Sequence, residues 1–72
     1  MARKLDRRQL DQAARIAAHG MLAYGMSPQL AAHGALKRLG WSQDHLEQVA
    51  TAAQVEVDAA RGALEIARAW NE

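Results

Sequence analysis

Three histidines, His19, His33 and His45, are the side chains of this sequence best suited to proton or metal chemistry near neutral pH. His19 and His33 hold equivalent places in an internal echo. IAAHGML followed by GMS spans residues 16–27, and LAAHGAL followed by GWS spans 30–42. A zinc site needs about four ligands at suitable spacing, usually backed by carboxylates. No two histidines lie three or four residues apart, and no carboxylate sits beside His19 or His33. The pattern therefore predicts solvated or interface histidines and no metal. Nucleophilic chemistry fares no better. The chain has no cysteine, which removes thiolate nucleophiles, thiolate zinc sites and disulfides together. Ser27 and Ser42 each follow a turn glycine and precede a helix, the place of an N-cap. There is no glycine-rich phosphate loop and no paired carboxylate in an evident cleft. In a three-helix chain of 72 residues little room is expected for a pocket of about 300 Å3 or more. These residues predict a non-enzyme without a cofactor.

The elements that hold them read as helices throughout. Alanine, the best helix former, makes up about a quarter of the chain, Phe is absent and β-branched residues are few. The predicted fold is all-α: one domain over 1–72, with two shorter helices packed on a long C-terminal helix. Helix 1 is expected over about 6–24, with Leu10, Ala13, Ala14, Ala17, Met21 and Tyr24 facing the core. Helix 2 is expected over about 28–39, with Ala32, Ala35, Leu36 and Leu39 inside. Helix 3 is expected over about 43–70. The echo is then helix punctuation. Gly25 and Gly40 suit the left-handed residue that ends a helix, Met26 and Trp41 the apolar residue after it, and Ser27–Pro28 and Ser42 the next start.

Helix 3 would be about 42 Å long against about 18 Å for helix 2, at 1.5 Å per residue. Its seam of Leu46, Ala50, Ala53, Val57, Ala60, Leu64 and Ala67 alternates steps of four and three. A second stripe adds Val55, Ile66 and Trp70, large residues that exposed methyls do not explain. A chain this small is marginal alone and has no disulfides, so a homodimer joined through Val55, Ile66 and Trp70 is expected. Gly34, inside helix 2 and off its core face, has no structural purpose in this scheme. With Leu22, Leu30 and His33 it forms a candidate surface for a protein partner.

Charge is uneven. Residues 1–40 carry a balance of +5 and residues 41–72 one of −4, which sets a basic end against an acidic one. Arg3, Lys4, Arg7, Arg8, Arg15, Lys37 and Arg38 are the candidate nucleic-acid contacts. ALKRLGWSQDHLEQVA, residues 35–50, resembles a helix-turn-helix, with Leu39, Trp41, Leu46 and Val49 around the turn residue Gly40. The resemblance implies a DNA-binding regulator. The sequence departs from the motif at Leu36, where a small residue belongs, and at Asp44 and Glu47, which would repel phosphate. Residues 24–40, YGMSPQLAAHGALKRLG, are faintly similar to ubiquitin-associated modules, whose third helix is much shorter. The uncharged stretch from Ile16 to Leu36 contains His, Gly, Pro, Ser and Gln, so no membrane span is expected. The N-terminus does not read as a signal peptide, and a cytoplasmic location is expected.

The expected function is that of a small regulatory inhibitor or adaptor that binds a protein partner, of the kind phages and mobile elements encode. The alternative is a small dimeric DNA-binding transcriptional regulator working through its basic first helix.

Overall fold

In the computed structural model, which describes residues 4–71, three α-helices pack side by side. Helix α1 spans Arg7–Tyr24, α2 Pro28–Leu39 and α3 Leu46–Asn71. Asp6 caps α1 by accepting from the Gln9 amide at 2.8 Å, and the Gln9 side chain accepts from the Asp6 amide at 3.2 Å. This reciprocal capping box fixes where the helix starts. Ser27 caps α2, its Oγ accepting from the Leu30 amide, with Pro28 in the first turn. Both helices end on a glycine in the left-handed region, Gly25 at φ 66° and Gly40 at φ 71°. The ends differ in detail. Trp41 donates to Leu36 O and Gly40 to Lys37 O, a Schellman arrangement, whereas at the end of α1 Gly25 donates to Met21 O at 3.1 Å and Met26 donates to Gly20 O at a longer 3.5 Å. The third element starts differently from expectation. Ser42 Oγ accepts from the Asp44 amide two residues on, and this tight turn draws Gln43–His45 into a 3-10 turn before α3 begins at Leu46.

The order of packing follows from two contacts. The side-chain amide of Gln48 both accepts from the Leu5 amide at 3.0 Å and donates to Leu5 O at 3.2 Å, so α1 and α3 start at the same end. At the other end Leu22 shares a groove with Ala59 and Ala60. Helices α1 and α3 are therefore parallel, and α2 returns between their ends. The interior is built mostly of methyl groups. Of the fourteen buried apolar residues among those described, nine are alanine, and the largest fully buried side chains are Leu36, Val49 and Val57. Small residues let helix axes approach closely, toward the short end of the usual 8–10 Å. Gly20 is part of this. A methyl group placed there would sit 2.9 Å from Met26 Sδ and 3.8 Å from Ala31 Cβ, so the glycine admits both the α1–α2 joint and α2 itself.

One expectation about the core is corrected. Tyr24 is not inside: it is 76% exposed. Met26 folds back onto the core and closes that end of the bundle, and the Tyr24 ring meets His19 edge-on instead, centroids 6.3 Å apart. The α3 seam is buried at Ala50, Ala53 and Val57 but not at Leu64 or Ala67. The reason is length. Near Ala60, α1 and α2 have both ended, and α3 runs on alone for about 15 Å over residues 62–71, at 1.5 Å per residue. Maximum extents of 50 × 23 × 15 Å record this overhang.

Candidate functional site

Two surfaces collect the side chains that the fold leaves unused. The first is the overhang of α3. Past the bundle, Leu64, Ile66 and Trp70 are 59%, 61% and 85% exposed. Val55, Ile66 and Trp70, singled out for self-association, lie on one continuous stripe of α3 and all face solvent. Leu64 belongs to a different stripe, the same one that carries Ala53 and Val57 into the core. The core-facing seam thus continues beyond the residues that cover it. Among the described residues, nothing of the same chain covers Leu64, Ile66 or Trp70.

The second surface is a groove of about 450 Å3 between α1 and α2. Its floor is apolar and shallow-walled: Ile16 and Gly20 from α1, Met26 from the joint, Ala31, Gly34 and Ala35 from α2. Arg15 and Arg38 stand at its edges from opposite helices, with His19 and Tyr24, and among the described residues no carboxylate lines it. Gly34 finds its place here. A methyl group on Gly34 would meet nothing within 4 Å. The residue answers no packing demand of the bundle and leaves the groove wall low. Such open grooves, about 370 to 550 Å3 in volume, occur at several places on the surface. The expectation that so small a chain lacks concavities of ligand size is corrected, because three cylinders packed side by side leave furrows between them.

The residues proposed for a protein partner do not form one patch. Leu30, His33 and Gly34 share the outer strip of α2, but Leu22 lines a separate groove between α1 and α3 with Ala18, Glu56 and Ala59. His33 is also engaged within the chain. Its Nδ1 lies 2.9 Å from Gln43 Oε1, and Gln43 Nε2 donates to His33 O at 3.3 Å. This double contact ties α2 to the 3-10 turn and gives His33 a joint-stabilising part that spacing alone does not reveal. Gln48 has the same hidden part at Leu5.

Of the basic residues considered for nucleic acid, Lys4, Arg7, Arg8, Arg15, Lys37 and Arg38 are all exposed, and Arg3 lies outside the described residues. The fold brings Arg15 and Arg38 to one groove across 23 positions of sequence, which the sequence alone does not indicate. The joint that resembles a helix-turn-helix presents Asp44 and Glu47 to solvent, and the first basic residue of α3 is Arg61. Among the described residues, no group of three or more His, Asp or Glu is placed to hold a metal ion. No helix there is long and apolar enough to cross a membrane. No family model, curated protein or solved structure matches the chain.

Proposed function

We propose that this chain is a small non-enzymatic regulatory protein that acts by binding another protein, and that it works as a homodimer joined through α3. The observation that supports this reading is the overhang. A helix does not gain by holding Ile66 and Trp70 in water, and large side chains on one stripe beyond a bundle's end match the form of an interaction face. A second copy is the economical cover, because a twofold contact uses the same stripe on both chains. Arg61, Glu65 and Arg68 run along the polar side of this segment, giving both signs of charge to an antiparallel pairing.

The test is the oligomeric mass. Ile66→Glu and Trp70→Glu place charge in the stripe without touching the core, so each variant keeps its helical circular dichroism while the mass by light scattering falls from dimer to monomer. A parent of monomer mass overturns the dimer, and a dimer mass that persists in both variants overturns the α3 seam.

A second reading is a DNA-binding regulator, favoured by the meeting of Arg15 and Arg38 and the exposure of the other basic residues. It predicts that affinity for duplex DNA falls linearly with salt on log–log axes, with a slope near −0.9 for each phosphate neutralised. Arg15→Ala would reduce that slope by about one contact. Absence of measurable affinity at low salt removes this reading.

A further inference from the structure

We infer that the α1–α2 groove is the partner-binding site, and that its occupant is an amphipathic helix of a partner protein whose apolar stripe is flanked by Asp or Glu. The inference rests on the protein-binding function proposed above and adds to it the chemistry of the partner. Three features of the groove select the occupant. Its floor of Ile16, Gly20, Ala31, Gly34 and Ala35 offers apolar contact but no hydrogen-bonding side chain. Its walls are helices, whose backbone amides and carbonyls are already paired with one another. An extended peptide laid there would bury unpaired backbone groups, so the bound segment must satisfy its own backbone, and a helix does so. The rim supplies charge of one sign. Arg15 and Arg38 face the groove from opposite helices and, among the described residues, no carboxylate lines it; Glu56 lines the separate α1–α3 groove that Arg15 also borders. Acidic residues on both flanks of the guest stripe are therefore favoured and basic ones are repelled. Gly34 completes the fit. It is exposed, has no neighbour within 4 Å of an added methyl, and interrupts α2 at a place where alanine would strengthen the helix. Its use is to let a second helix come close.

The experiment is a selection of random peptides displayed against the parent protein, with winners measured by fluorescence anisotropy. Enriched sequences should carry apolar residues at i, i+3 or i+4 and i+7 with Asp or Glu beside them. Their binding should weaken about tenfold in Arg15→Glu/Arg38→Glu, since two rim attractions become repulsions. Gly34→Leu should weaken it about tenfold or more by occupying the groove. The two arginines are exposed, so the charge variant stays folded even if the leucine variant does not. Neutral or basic winners overturn the inference, and so does binding indifferent to both variants. If winners are lost in Ile66→Glu instead, the site is the α3 stripe: the groove assignment falls and protein binding stands. If the arginine variant dissociates the dimer, the occupant of the groove is a second copy and the partner assignment falls. If no sequence is enriched, the groove assignment falls, while the α3 dimer is decided separately by its mass.

Discussion

Gly34 and Gly40 stand in the same short segment, and substitution should move them in opposite directions. Gly40 has φ 71°, where a Cβ meets the following carbonyl at a cost of about 1–2 kcal/mol. Gly40→Ala should therefore lower stability by that amount. Gly34 is helical, exposed and without neighbours. Alanine there removes backbone freedom from the unfolded chain and improves helix propensity, so Gly34→Ala should raise stability by up to about 1 kcal/mol. Urea midpoints of the two variants check both signs. Gly25 and Gly40 were legible in the sequence, because helix ends obey rules that span only a few neighbouring residues. Gly34 was legible only as an oddity. What it serves depends on α1, and no local rule reports a groove between two helices.

Among the elements, the parallel pairing of α1 and α3 is held at its start by one side chain. Gln48 reaches across 43 positions to bond both the N–H and C=O of Leu5. Each such bond contributes about 0.5–1.5 kcal/mol net, so Gln48→Ala should destabilise the protein by about 1–3 kcal/mol. It should also speed hydrogen exchange at the Leu5 amide while amides in the middle of α3 change much less. Helix identity, the two glycine-ended joints and most of the inward faces could be read from spacing, since periodicity is a property of one helix at a time. Tyr24 could not. Its angle on α1 points inward, but whether a core exists at that height depends on Met26 folding back. Leu64 and Ala67 differ: the excess length of α3 over α2 was legible in the sequence, whereas the height at which its cover ends was not, because a seam records only which side of a helix is apolar.

At the scale of the whole molecule, the bundle and the overhang are separable. The residues beyond Gly62 contribute no buried side chain among those described, so a chain ending at Gly62 should melt within a few degrees of the parent. Its mass should be that of a monomer by light scattering. A large fall in melting temperature would show that association, and not the bundle, holds the fold together. The uneven charge of the two halves was legible from the start. Its spatial use was not, because Arg15 and Arg38 converge only once α2 has turned back along α1.

The methyl-lined interior has a further consequence. Alanine has no χ angle, so it loses no side-chain conformational entropy on folding. It also has no alternative rotamer with which to absorb a change. A larger residue at Ala31 or Ala35 cannot be met by neighbouring alanines turning aside, and the helix axes themselves must separate. Both residues are buried in the core and also line the α1–α2 groove. Interior volume and groove width are therefore a single mechanical variable, and a substitution made to fill the core would retune the shape offered to a guest.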